Sequence, residues 1–174
     1  MPLKPAGDIR ELLRVGDFIQ GIADDYKVRN VFDDSGYKTL LLLKYFGLVK
    51  IEGRQGDDVL DQKTGKHYEM KTVNLLNAHG QFRRNPGITT CHHVNTDVIT
   101  RYRKVEARII GVFFGHRPAR IYEMPTAELE QFFSAWEKQL TTRTHINNPK
   151  IPFPRVVDLA TCHFWDKDYD QCFT

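Results

Sequence analysis

Gly53-Arg54-Gln55-Gly56-Asp57-Asp58 and Tyr68-Glu69-Met70-Lys71 are the two segments that decide the reading of this chain. Between them lies Gln62-Lys63-Thr64-Gly65-Lys66, a polar, Gly-containing run of the kind that folds a hairpin back on itself. Strand side chains alternate faces, so Glu69 and Lys71 point one way while Tyr68 and Met70 point into apolar packing. The turn brings Asp58, near the start of the first strand, beside Glu69. Two clustered carboxylates form an oxygen site for Mg²⁺, and a nearby ammonium can hold or activate an attacking water. The same acid-x-Lys spacing recurs at Asp25-x-Lys27 and Asp61-x-Lys63. Context separates the three. Asp25 stands in a polar run and Asp61 opens the turn, whereas Glu69 and Lys71 interleave with apolar or aromatic residues and lead into Thr72-Val73. Taken alone, the motif reads equally well as a solvated hairpin with a surface Glu–Lys pair of little energetic weight.

Length and composition bound the problem. A chain of 174 residues with 41% hydrophobic content is a single domain, 1–174, able to build a real core. Net charge is only +3, yet it is unevenly placed. Residues 79–120 hold eight basic side chains against two acidic ones, a balance that suits a surface meeting phosphates. A merely soluble basic face has the same signature. Cys91, Cys162 and Cys172 make an odd number without framework spacing, which predicts free thiols in a reducing cytoplasm. The N-terminal residues lack an apolar signal core, and the longest apolar run, Leu40–Leu43, is too short to cross a bilayer.

Periodicity places the motifs. A helix is predicted from about Asp8 to Ile22, its stripe of Ile9, Leu12, Leu13, Phe18 and Ile19 serving core packing, an interface, or both. A second runs from Gly36 to Phe46, with Asp34 or Ser35 as N-cap and Gly47 as its stop. The hairpin occupies 50–73, and residues 75–88 read as an irregular loop whose Arg83-Arg84 pair suits a DNA backbone. A short helix over Asn95–Val105 carries Tyr102. Strands follow at Ala107–Phe114 and Arg120–Met124, joined by Gly115-His116-Arg117-Pro118. An amphipathic helix from Pro125 to Gln139 buries Leu129, Phe132, Phe133, Trp136 and Leu140, and a last short helix follows Pro152 and Pro154. The aromatic, acidic tail beyond it has no functional reading.

Two more polar clusters complete the pattern: Thr89-Thr90-Cys91-His92-His93 and His145-Ile146-Asn147-Asn148-Pro149-Lys150-Ile151-Pro152. With Gly53–Lys71 they resemble the PvuII family of type II restriction endonucleases, within the PD-(D/E)xK superfamily, and similar residues recur in order from about Asn30 to Val157. The resemblance implies an α/β (α+β) restriction-endonuclease-like fold of the PvuII/EcoRV branch, a central mixed β-sheet flanked by helices. It implies Asp58 and Glu69 as ligands of Mg²⁺, with Lys71 and Tyr102 completing the catalytic group. Asp34 matches an acidic residue that approaches DNA near the active site. Thr89, His92, His93, Asn147, Asn148 and Lys150 fall in the DNA-contacting segments, and the family's matched histidines and asparagines touch bases. Chemically this fits, since asparagine bonds adenine bidentately and histidine can donate to guanine. Asn147-Asn148 could instead form a turn before Pro149. Zinc at His92-His93 is disfavoured, because adjacent ligands on an extended stretch point apart.

Further implications are a homodimer built with help from about residues 1–30, a palindromic site related to CAGCTG cut to blunt ends, and a cognate DNA methyltransferase protecting that site in a prokaryotic cytoplasm. Three departures stand in the recognition and catalytic segments. Cys91 replaces a third histidine, Thr89 a serine, and Gln55 a glutamate beside the catalytic aspartate, which leaves the outer base pairs of the site open. The loop over 75–88 is also several residues longer than its counterpart. A structure-specific repair nuclease, or a DNA-binding module that has lost catalysis, are the alternative readings of the same residues.

Overall fold

The computed structural model describes residues 9–33, 35–51, 58–77, 79–83, 86–89 and 93–172. Asp34, Gln55, Arg84, Cys91 and His92 therefore lie outside the described residues. The elements are α1 (Ile9–Asp25), α2 (Gly36–Phe46), β1 (Val49–Lys50), β2 (Val59–Leu60), β3 (His67–Asn74), β4 (Ile88–Thr89) and β5 (His93–Val94). They continue with α3 (Thr96–Tyr102), β6 (Ala107–Phe114), β7 (Arg117–Pro125), α4 (Glu130–Leu140), β8 (Ile146–Asn147), β9 (Lys150–Ile151), α5 (Phe153–Leu159) and β10 (Thr161–Trp165).

Six strands form a mixed sheet in the order β1-β2-β3-β6-β7-β10. β3 and β6 run parallel, from Tyr68↔Ala107 to Asn74↔Phe113, and the other neighbours are antiparallel. The sequence Ala-Arg-Ile-Ile-Gly-Val-Phe-Phe of β6 is nearly all apolar because both of its faces are covered. On one face Ile109, Phe113, Ile121 and Val59 meet Leu42 and Leu43 of α2, with Ala23, Val28 and Val31. On the other, Ile110, Val112, Tyr122 and Met124 pack with Tyr102, Phe133, Trp136 and Val156 from α3, α4 and α5. Gly111 lets α2 approach: a Cβ there would lie 2.6 Å from the Phe113 ring and 3.0 Å from Leu42.

Local chemistry explains the boundaries, including those that differ from expectation. α2 stops at Gly47, whose φ of +66° is the left-handed conformation that favours glycine. Of the two cap candidates, Asp34 lies outside the described residues; Ser35 holds the N-cap position without a side-chain cap bond, and Asp33 Oδ1 accepts from the amides of Ser35 (2.9 Å) and Gly36 (2.5 Å). α1 runs three residues past Ile22 because Gln20 ties its end down, donating to Asp24 and to the Val28 carbonyl while accepting from the Val31 amide. The helix predicted over 95–105 is shorter, Thr96–Tyr102, with Asn95 accepting from Val98 N at 3.0 Å as its cap. β7 begins at Arg117, since a bulge between Val112 and Phe113 lets Pro118 sit in the strand opposite Phe113. The amphipathic segment opens as a 3₁₀ turn, Thr126–Leu129, before α4. Leu129, Phe133 and Trp136 are fully buried there, with Phe132 and Leu140 partly so. In the aromatic tail, Thr161–Trp165 forms the outer strand of the sheet against β7, an element that the sequence does not predict.

Arg103, just after α3, clamps that helix to α4. Its Nε and Nη2 donate to Glu130 at 3.0 and 2.5 Å, and Nη1 and Nη2 to Glu137 at 2.5 and 2.9 Å. These bonds hold both carboxyl groups below the usual carboxylate range. A carboxylate with a depressed pKa stabilises the fold above its unfolded pKa, and that contribution is lost as pH falls through the folded value. Glu137→Gln should therefore lower the melting temperature at neutral pH and low salt. The difference from the parent should begin to shrink below 4.5, the ordinary value for glutamate, and vanish only once pH falls below the depressed folded value, as read by paired thermal melts.

Candidate active site and polar ribbon

The hairpin forms as its sequence predicts. Asp61 Oδ1 accepts from the Lys63 amide, its Oδ2 from the Thr64 hydroxyl, and Gly65 adopts φ +71° to close the turn. Val59 pairs with Tyr68 and Leu60 with His67, and Asp58, just before β2, lies close enough for its carboxylate to act on Glu69. Asp58 also bridges the strands itself. Its amide donates to Tyr68 O at 3.0 Å, and its Oδ2 accepts from Met70 N at 3.0 Å. Tyr68 and Met70 pack on the α2 side, which turns Glu69 and Lys71 to the opposite face.

Glu69 is the unusual residue of the group. It is only 2% exposed, and its Oε1 lies 2.5 Å from Lys71 Nζ. Its Oε2 is buried with no hydrogen-bond partner. Burial pushes the Glu69 carboxyl above its ordinary value, the Lys71 ammonium opposes that shift, and the Asp58 carboxylate adds to it. A buried, unbonded carboxylate oxygen is costly unless a cation or donor meets it. Among the described residues no group of three or more His, Cys, Asp or Glu side chains gathers as a metal cage. Asp58 and Glu69 could hold a hard divalent ion that keeps most of its waters, and the orphaned Oε2 fits such a partner.

Tyr102, at the end of α3, is buried, with its ring stacked at 6.4 Å on Phe133. The guanidinium carbon of Arg108 sits 4.3 Å from the Tyr102 ring centroid. Arg108 is the parallel-strand neighbour of Glu69 and is fully buried on the same face. Sequence reasoning counted Arg108 only as part of the basic middle third. The available signal was a single charge in an otherwise apolar strand, a placement that normally requires a partner.

The two distant polar clusters meet. β4 pairs antiparallel with β9 through Ile88↔Ile151 and Thr89↔Lys150, and β5 with β8 through His93↔Asn147 and Val94↔Ile146. Ile88, Val94, Ile146 and Ile151 are buried and anchor the ribbon, while Thr89, His93, Asn147 and Lys150 are exposed. The register advances by one residue between the two pairs. Asn148 lies within that offset at φ +46°, a conformation asparagine tolerates better than most residues. His93 Nδ1 donates to Asn147 Oδ1 at 2.8 Å, which makes Nε2 the accepting nitrogen of the neutral ring. Arg83 is exposed, and its amide donates to Leu75 O at 2.7 Å. A cleft of about 500 Å³ between the end of α1, the Asp33 turn and β1 is lined by Lys27, Arg29, Asp33 and Lys50, but by neither Asp58 nor Glu69.

A mixed sheet that carries an acid, an acid and a lysine on one face defines the restriction-endonuclease-like class of nucleases. A family model described as restriction endonuclease PvuII matches residues 5–164, and the chain belongs to that family. It is a type II site-specific deoxyribonuclease with DNA as substrate, of a family that generally uses divalent metal ions. No described helix is long and apolar enough to cross a membrane.

The Asp58 geometry yields a separable expectation. Asp58→Asn keeps an acceptor for the Met70 amide and removes the charge, so it should abolish cleavage with little change in melting. Asp58→Ala loses both and should in addition destabilise the fold by about 1 kcal/mol. Denaturant unfolding beside a plasmid cleavage assay distinguishes the two.

Proposed function

We propose that this enzyme cuts double-stranded DNA with Mg²⁺ as its divalent ion, at a palindrome related to CAGCTG, and leaves blunt ends. The observation that carries the catalytic half is the Asp58–Glu69–Lys71 group, above all the buried, unbonded Oε2 of Glu69. Asp58 and Glu69 would hold the ion, which supplies charge stabilisation at the phosphoryl group and a more acidic water. Lys71, three-quarters buried and ion-paired with Glu69, would orient the attacking water, help remove its proton and offset negative charge as it develops. Tyr102 would complete the wall behind the group.

His93 and Asn147 support the recognition half. Their mutual hydrogen bond fixes both side chains on an exposed ribbon, and rigid polar groups read base edges best. Asn148, Thr89 and His92 belong to the same two segments, and Lys150, Arg83 and Arg84 are suited to phosphates. Asp34, the next residue after Asp33 in sequence, would approach the DNA. A palindromic target needs a two-fold homodimer with one active site per strand. α1 offers the surface: Leu13, Phe18, Ile19 and Ile22 are exposed, Phe18 by 70%, and Phe32 extends the patch across Gly16. A cognate methyltransferase guarding the same site in a prokaryotic cytoplasm completes the proposal.

Lys71→Ala should lose cleavage of supercoiled plasmid by at least about a hundredfold while keeping DNA affinity within a few-fold; nicking at the parental rate would refute the assignment. Phe18→Asp should halve the sedimenting mass, because a buried charge at the centre of an interface is strongly unfavourable. An unchanged dimer would place the interface elsewhere. End-mapping of a digested plasmid tests both the palindrome and the blunt cut.

A further inference from the structure

Arg108 is a charged side chain in a place that an aliphatic one would fill more cheaply. It is the second residue of β6, has no exposed surface, and is surrounded on its own strand by Ala107, Ile109 and Ile110. Its guanidinium lies over the Tyr102 ring at 4.3 Å and near the Phe133 ring at 5.6 Å. None of Nε, Nη1 and Nη2 has a hydrogen-bond partner. Desolvating a cation without satisfying its donors is unfavourable unless negative charge stands close by. That charge is present: β6 is the parallel neighbour of β3, Glu69 occupies the adjacent register position, and both Glu69 and Asp58 act electrostatically on Arg108.

The local charges therefore balance. Asp58 and Glu69 supply two negative charges, and Lys71 and Arg108 supply two positive ones. Burial pulls the Arg108 guanidinium below its ordinary value and Glu69 opposes that, yet arginine starts so far above neutrality that it stays protonated in proteins, so its charge is fixed rather than conditional. Lys71 is partly exposed and can follow the substrate; Arg108 is locked between aromatic rings and cannot. A divalent ion entering this group in the absence of DNA meets a site already neutralised. A scissile phosphate restores the missing negative charge.

We propose that Arg108 is a positioning residue whose fixed charge offsets the Asp58–Glu69 pair and so keeps divalent-ion loading weak until a DNA phosphate arrives. This rests on the reading that those two carboxylates hold the ion. The consequence differs from that of a residue kept for packing alone. Removing the charge tightens ion binding by the DNA-free enzyme, whereas loss of mere packing loosens it or leaves it unchanged.

The experiment titrates the full-length, DNA-free enzyme with Mn²⁺ and counts free ion by its paramagnetic resonance signal. Arg108→Met, which matches the unbranched apolar stem, and Arg108→Gln, which keeps a polar end, both remove the charge. Each should bind Mn²⁺ about tenfold or more tightly than the parent, because unit charges a few ångströms apart in a poorly hydrated site interact strongly. Arg108→Lys keeps the charge and should stay near the parental affinity. Near-UV circular dichroism verifies the folded state, and if one neutral variant does not fold the other decides. Parental or weaker binding by the folded neutral variants would overturn the inference, as would identical tightening by Arg108→Lys or failure of both neutral variants to fold. Glu69→Gln is the control. If it binds Mn²⁺ as the parent does, the metal-site reading itself falls; if it loses binding while Arg108→Met is unchanged, only the role of Arg108 falls.

Discussion

The parallel pairing of β3 with β6 is the constraint on which the site depends. Seven consecutive residue pairs set it, from Tyr68↔Ala107 to Asn74↔Phe113. It fixes which face each side chain takes, and a slip of one residue would invert every assignment. With this register, Tyr68, Met70, Ile109 and Phe113 all serve the α2 side, while Glu69, Lys71, Val73, Arg108, Ile110 and Val112 serve the other. Apolar demand on both faces leaves the strands no competing register. The core thus sets the faces of Glu69, Lys71 and Arg108, and polar contacts then fix the ends of Glu69, Lys71 and Asp58.

That arrangement explains how Glu69 can be buried at all. A lone carboxylate at that position would protonate or force the strand open. Lys71 contacts one oxygen directly, and Arg108 supplies charge from the adjacent strand without a bond. Asp58 is treated differently, being tied to the backbone of the opposite strand through Met70 N. Two carboxylates of similar chemistry are therefore held by dissimilar means. One is fixed by a hydrogen bond at the sheet surface, and the other is kept ready by burial.

Much of this was legible in the residues because local chemistry and global fold agree. The Asp61–Gly65 turn, the Gly47 stop, the Asn95 cap region and the apolar run of β6 each carry short-range signals that the fold obeys. The hairpin geometry followed from strand alternation, and the clustering of Asp58 with Glu69 followed from the turn. What could not be read was of two kinds. Caps can be supplied by a residue one place outside the obvious candidates, as Asp33 does for α2. Long-range pairing has no local signal: nothing in 161–165 announced an outer strand, and nothing near Arg108 named Glu69 as its neighbour. The resemblance gave both polar clusters as DNA-contacting, whereas the pairing of β4 with β9 and of β5 with β8 emerges only from the fold.

The two-strand ribbon also sets an order of assembly during synthesis. Asp58, Glu69 and Lys71 leave the ribosome well before Ile146 and Asn147, and their partners His93 and Val94 must wait for the later segment before the ribbon can close. A truncated translation product ending before that point carries the three residues proposed to cut but only half of the surface proposed to choose where they cut.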